Sequence, residues 1–332
     1  MMVSKFRWLI TAIVCGCCLA ALSTQTLAQA YPTHSVRLVI PYAPGGPSDL
    51  LGRAVASKLG DMLHEQFVIE NRPGVGAIVG AQSVAKATPD GYTLFLGDIS
   101  TFGVNPNMYK SLPYNARKDF TPIGPFASGA VFLFVGASVP VRNIQELIAL
   151  AKKKPGEVSY GSSGAGNMPT HIGPELFRDK NGLNVLHVPY KGASPAMVDV
   201  VAGRVSFIMT TGLSAAKPFL DSGKVRPLAV TGTKRASVLP DVPTFAEAGS
   251  PMPEMNAGVW WGLLGPAGLP RNIVVKLNET IAQALAAPDV LARLSALNLD
   301  PMIMTPEAFT DFINSEIETW GRVVKRAKIT AD

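Results

Sequence analysis

Apolar positions along the chain fall into short unbroken runs separated by stretches with helical spacing. Arg37-Leu38-Val39-Ile40-Pro41 is nearly continuous and predicts a buried strand. After Tyr42-Ala43-Pro44-Gly45-Gly46-Pro47, Ser48 or Asp49 caps a segment with Leu50, Leu51, Ala54, Val55, Leu59 and Leu63 on one helical face. Phe67 to Glu70 predicts a second strand, Asn71-Arg72-Pro73-Gly74 a turn, and Ile78 to Ala87 a second helix. Thr88-Pro89-Asp90-Gly91 then turns the chain into a strand over Tyr92 to Leu96. Strand, helix, strand, helix, strand at this spacing predicts a parallel sheet with helices on its faces.

The pattern starts again near residue 131. Val131 to Val135 is β-rich, Ile144, Leu147, Ile148 and Ala151 form a helical stripe, and Lys152 to Gly156 stops it. Val158-Ser159-Tyr160 leads into a Gly/Ser loop and a helix from about Pro169. Strands at 185–188, 205–209 and 225–231 then alternate with helices at 195–201 and 215–220, a second α/β unit over about 131–250. Trp260 to Leu264 predicts another strand, in which the two tryptophans face opposite ways and at least one is core. A helix over Ile273 to Leu285 and a last one from Pro306 to about Lys325 follow. One strand and two helices make a poor independent core, so these elements are expected to complete the first domain, giving domains at 31–130 plus 251–332 and at 131–250.

The first thirty residues read differently. Lys5 and Arg7 precede an uncharged apolar run, Trp8 to Leu22, and Ala28-Gln29-Ala30 closes the segment. This is the order of a secretory signal peptide, with cleavage expected after Ala30 and a periplasmic destination. The run is shorter than the roughly 20 residues that span a bilayer. Its removal takes two of the 30 basic residues and no acids, lowering the formal charge from +6 to +4. All three cysteines (Cys15, Cys17, Cys18) leave with it, so the mature chain has no disulfide, thiolate metal site or cysteine nucleophile. With 47% hydrophobic and 16% charged residues, the chain is a globular protein, not a charged disordered tail or a nucleic-acid coat.

Candidate chemistry concentrates in loops that leave strands and enter helices. In Ala43-Pro44-Gly45-Gly46-Pro47-Ser48-Asp49 the glycines allow close backbone approach, and free N–H groups at the helix start favour an anion. Ser162, Gly166, Asn167, Thr170 and His171 stand in a second such loop, where neutral donors suit a ligand that must also be released. His171, in the first helical turn, is expected to be neutral, either a donor in the site or a packing residue. Ser100-Thr101 and Thr210-Thr211 repeat the arrangement after two further strands, and ligands of open α/β sheets gather beyond such strand ends. The plain alternative for each loop is a tight turn with an N-cap.

Other chemistries find little support. No phosphate-binding Gly-Lys-Ser/Thr ending follows Gly45-Gly46, and Gly161-Ser162-Ser163-Gly164-Ala165 fails the nucleophile-elbow pattern at its last position. The four histidines lack metal-ligand spacing, and Gly74-x-Gly76 has its third glycine at Gly80, out of dinucleotide register. Lys152-Lys153-Lys154 closes a helix, and no basic–aromatic repeat tracks a nucleic-acid backbone. No cofactor and no catalysis are expected.

Several blocks together resemble the substrate-binding proteins of tripartite tricarboxylate transporters, the Bug group of periplasmic receptors. They are Tyr31-Pro32, Arg37 to Pro41, Pro44-Gly45-Gly46 with Asp49, Glu70 to Gly74, Pro89 to Leu94, Gly161 through His171, Val188 to Gly192 with Pro195-Ala196, and Leu239 to Thr244. The resemblance covers 31–325. It implies a two-domain, type II Venus-flytrap α/β fold, a small carboxylate held in the cleft between the domains, and a monomer. It places the Gly45-Gly46 loop and the loop before His171 on that carboxylate, partly through water, with Asp49 positioned for an ammonium in members that take amino acids. Membrane permease subunits are the implied partners; a sensor is the alternative, and a secreted hydrolase the more distant one. Pro47 and Pro174 depart from the family pattern where pocket shape is set.

Overall fold

Eleven strands form two sheets in a computed structural model, which describes residues 31–164, 166–211, 213, 215–327 and 329. The expected signal peptide and its cleavage point at Ala30 lie outside the described residues. The described residues from His34 onward form one compact unit.

In the first sheet, β1 (Val36–Ile40) lies between β2 (Phe67–Asn71) and β3 (Thr93–Asp98), all three parallel. The alternating crossovers α1 (Pro47–Leu63) and α2 (Ile78–Ala85) make that arrangement possible, because parallel strands need a long return connection. Gly80 allows α2 to close on the sheet; a Cβ there would stand 2.8 Å from Pro41 Cβ. Beyond β3 the sheet order continues with β10 (Val259–Pro266), β4 (Phe120–Gly129) and the two-residue β11 (Asp300–Pro301). β10 is antiparallel to both β3 and β4. The hydrophobic pattern does not single out β4, because Pro122 and Pro125 interrupt it; both sit beside register shifts or at positions the ladder tolerates.

β4 passes through Ala130 directly into β5 (Val131–Gly136) of the second sheet, whose order is β7 (Leu186–Pro189), β6 (Ser159–Ser162), β8 (Phe207–Thr211), β5, β9 (Val225–Val230). β6 is parallel to β7 and β8, while β5 is antiparallel to β8 and β9.

The remaining helices are α3 (Asn105–Met108), α4 (Ile144–Lys153), α5 (Gly173–Asn181), α6 (Ala193–Val201), α7 (Lys217–Asp221), α8 (Arg271–Ala286), α9 (Pro288–Ala296) and α10 (Pro306–Ala327). α3 and α9 escaped the sequence reading, α3 because it is a single turn and α9 because Ala287-Pro288 separates it from α8 without a loop. α10 touches elements from both sheets. A Cβ on Gly103, at the turn after β3, would meet Trp320 Cδ1 at 2.8 Å, and Arg326 pairs with Asp179 of α5 at 2.5 Å.

Both tryptophans of β10 are buried, one on each face. Trp260 Nε1 donates to Glu316 Oε2 at 3.0 Å, and Trp320 Nε1 donates to the same oxygen at 3.1 Å. Burial raises the Glu316 pKa against those two bonds. A carboxyl raised in the folded state contributes most below its unfolded pKa, and that contribution is lost as pH rises through the folded value. Glu316→Gln, which keeps a neutral acceptor, is therefore expected to gain stability over the native protein as pH rises from 4 to 8. Glu316→Leu leaves two indole N–H groups unpaired and is expected to lose about 2–6 kcal/mol, at about 1–3 kcal/mol per buried donor. Urea unfolding at both pH values checks the pair.

Candidate functional site

The predicted residues gather at two sets of strand ends. β1 and β3 are parallel neighbours, so the loop after Ile40 and the turn after Asp98 emerge on one sheet edge. β6 and β8 are likewise parallel neighbours, which brings the chain after Ser162 and Thr211 to one edge of the second sheet.

At the first edge, Ala43 and Gly45 are exposed, Gly46 is half-buried, and Ser48 and Asp49 are buried. Gly45 has φ +84°, a conformation that suits glycine. α1 starts without a side-chain cap at Gly46, and Pro47 occupies the first turn. The capping role expected of Ser48 or Asp49 is thus not taken up: both lie inside the helix, leaving the N–H groups of its first turn without a side-chain acceptor.

Asp49 is fully engaged by the protein itself. Its Oδ2 accepts from Gly45 N–H at 2.9 Å and Arg53 Nε at 3.0 Å, and its Oδ1 accepts from Asn71 Nδ2 at 2.9 Å. Burial pushes this carboxyl up, but the bonds from Arg53, Gly45 and Asn71 and the Arg53 charge together hold it below the usual carboxylate range. An Asp49 oxygen kept open for an ammonium is therefore not what the geometry offers.

A second buried carboxylate holds the turn after β3. Asp98 Oδ1 accepts from Thr101 N–H at 2.9 Å and Thr101 Oγ1 at 2.5 Å, and Tyr42 O–H donates to Oδ2. Burial raises the Asp98 pKa despite those donors, and raises that of Tyr42, with the Asp98 charge adding to it. Thr101 has no exposed surface, and Ser100 is buried. Ser100 opens a widened turn in which Asn105 N–H reaches Ser100 C=O, one residue beyond α-helical pairing. Trp261, register-paired with Asp98, donates from Nε1 to Ser48 Oγ at 2.9 Å. Tyr42, Asn71 and Trp261 therefore belong to this wall. Sequence reasoning missed them because polar atoms on mainly apolar or turn residues give no periodic signal.

The loop at the second edge is also internally tied. Ser162 is wholly buried, and its Oγ lies 2.6 Å from His187 Nε2 while accepting from Gly164 N–H at 3.2 Å. Ser163 N–H donates to Thr170 Oγ1 at 2.9 Å, Thr170 Oγ1 donates to Asn167 Oδ1 at 2.9 Å, and Gly166 N–H donates to His171 Nδ1 at 3.0 Å. Asn167 caps the second widened turn, Met168–Ile172, ahead of α5. Burial first, then His187 and Arg178, lower the His171 pKa to about 4, so the ring is neutral at pH 7. Thr211 is half-buried opposite Val131, at the start of β5; Gly212 lies outside the described residues. Among the described residues no group of three or more His, Cys, Asp or Glu is arranged to hold a metal, and no helix is long and apolar enough to cross a membrane.

Residues 51–329 match the family described as "Tripartite tricarboxylate transporter family receptor". The chain belongs to that family. The receptor is 33% identical to protein BugT of Bordetella pertussis over 307 residues, covering 92% of this chain and 93% of BugT. Among solved structures, it is similar to Rpa4515 of R. palustris with adipate (36% identity, TM-score 0.80, covering 90% of this chain and 99% of that one). It is also similar to MatC from Rhodopseudomonas palustris with bound malate (30% identity, TM-score 0.76, 89% and 100%).

Gly166 of the second loop lies against Met108 of α3. Its φ is +77°, and a Cβ there would stand 2.5 Å from Met108 Cε of α3. Gly166→Ala is expected to cost about 1–2 kcal/mol for the left-handed backbone plus the displacement of Met108. In a Met108→Ala background the same substitution should cost only its backbone share, as measured by chemical denaturation of both single variants and the double variant.

Proposed function

We propose that the receptor captures a small organic acid, with carboxylates such as adipate or malate as the class, between two lobes built on the two sheets. The lobes are 31–130 with 251–332 and 131–250, and the hinge runs through Ala130 and the segments joining β9 to β10. The observation that carries this reading is the uncapped start of α1. First-turn N–H groups with the helix dipole behind them favour an anion. The adjacent Asp49 carboxylate is already paired with Arg53 and Asn71 and does not take that place. The His171 Nε2–H, left as the free donor of a neutral ring whose Nδ1 accepts from Gly166, is the counterpart on the other wall.

Neutral donors in both walls bind an anion without a buried ion pair and let it go when the lobes part. Ligand contacts made from both lobes shift the hinge equilibrium toward closure. No bond is made or broken in this scheme. The close Ser162–His187 pair is no counterexample: the hydroxyl is sealed from solvent and already occupied by the Gly164 N–H. Export to the periplasm with cleavage after Ala30, action as a monomer, and delivery to membrane permease subunits complete the reading; a sensor is the alternative recipient.

Screening the purified protein by thermal shift against small organic acids tests this. A ligand at 100 times its Kd should add about 2.7 kcal/mol of stability; a panel of mono-, di- and tricarboxylates that leaves the melting temperature unmoved would count against the ligand class. Asp49→Asn is expected to weaken binding of amine-free and amine-bearing acids alike, by about 10-fold or more, through loss of charge-assisted bonds that hold the loop. Selective loss of the amine-bearing acids by calorimetry would restore a direct role for Asp49.

A further inference from the structure

His187 was not singled out by the sequence, yet it stands at the centre of the second loop. It lies on β7 opposite Tyr160 of β6 in the parallel register. Its ring stacks on Tyr160 with centroids 4.9 Å apart and on His171 with centroids 4.3 Å apart. Its Nε2 is 2.6 Å from Ser162 Oγ.

Hydrogen-bond accounting assigns both tautomers. Ser162 Oγ already accepts the Gly164 N–H, and the residue is fully buried. If His187 donated to it as well, the Ser162 hydroxyl hydrogen would be left without an acceptor, a costly state in a buried site. Ser162 O–H therefore donates to an unprotonated His187 Nε2. At His171 the Gly166 N–H donates to Nδ1, so that nitrogen is unprotonated too. Gly164 hangs on His187 through Ser162, and Gly166 hangs on His171.

We infer that His187 is a positioning residue of the ligand-gripping loop, and that the loop depends on two stacked imidazoles each presenting a lone pair to it. The inference rests on the receptor reading for what the loop grips, but not for how the loop is held. Protonating the loop-facing nitrogen of either ring removes an acceptor from the loop, and protonating both sets two cations face to face. The charged and titratable groups around the pair are Tyr160 of β6 and Glu175 and Arg178 of α5. Tyr160 donates to Glu175 Oε1 at 2.5 Å, and Arg178 pairs with Glu175 Oε2 at 2.8 Å. Burial is the largest cause at each ring and lowers both pKa values; the Glu175 charge raises that of His187 without overcoming it. A histidine depressed in the folded state loses its share of stability as pH falls from its ordinary value toward the folded one, here from about 6.5 to about 4.

Nuclear magnetic resonance of the ligand-free protein tests this through the imidazole nitrogens and the Gly164 and Gly166 amides between pH 8 and 4. In the native protein His171 should stay neutral with an unprotonated Nδ1 to below pH 5. Both glycine amides should exchange slowly at pH 7 and lose protection in acid. His187→Phe keeps a stacking ring but removes the lone pair and the second charge. It should speed Gly164 exchange about 10-fold or more and move the His171 titration upward. Ser162→Ala should reproduce the Gly164 effect with His171 unchanged, and His187→Gln, which retains an acceptor, should restore part of the protection. Native-like glycine exchange and His171 titration in His187→Phe would overturn the proposal, as would a native His171 titrating near 6.5. A failure of the native protein to bind adipate or malate in calorimetry would count against those acids as the ligand class, and the ligand-free spectra would decide the role of His187 regardless.

Discussion

Two carboxylates that cannot reach water, Asp49 and Asp98, must find donors inside the protein, and meeting that need shapes the first wall of the site. Asp49 draws Gly45, Arg53 and Asn71 onto itself, fixing the loop after β1. Asp98 draws in Thr101 and Tyr42, fixing the turn after β3 and tying it to the same loop. Breaking either set would leave a buried charge uncompensated, which costs far more than a surface ion pair is worth. The loop glycines supply conformational freedom, and the buried acids take it away by tying the loop in one geometry.

The second wall solves the same problem with neutral groups. Its loop is tied by hydroxyls, an amide and two imidazoles, with no carboxylate accepting from the loop itself. Among the described residues, neither candidate wall brings an unpaired acid forward to repel an anion. α10 reaches both, packing Trp320 on Gly103 near the first turn and pairing Arg326 with Asp179 at the far end of α5. A single helix thus links the elements that carry the two loops.

Much of this was legible beforehand where period and turn chemistry agreed. β1, α1, β5 and α10 each carry an uninterrupted apolar pattern bounded by Pro, Gly or Asn, and the structure places them within a few residues of the expected ends. β4 was not legible, since its prolines imitate a loop and only its pairing with β10 and β11 makes it a strand. The gathering of the candidate loops at strand ends was legible, because Gly45, Gly46 and Gly166 mark backbone that must turn or approach closely. The individual roles were not. Ser162 and Thr101 look like donors in sequence and prove to be wholly buried, their hydroxyls spent on neighbours. Tyr42, Asn71, Trp261 and His187 come to the loops from other elements, and spacing along the chain carries no trace of such long-range pairing.

In the proposed function, the first turn of α1 holds the carboxylate of the solute. Its most direct test follows the amide resonances of Ser48 and Asp49 while the protein is titrated with the organic acid that most raises its melting temperature. The account predicts saturable downfield shifts at both amides, with the same apparent affinity as the stabilisation. Saturable binding that leaves those two amides unmoved and shifts another surface would contradict it.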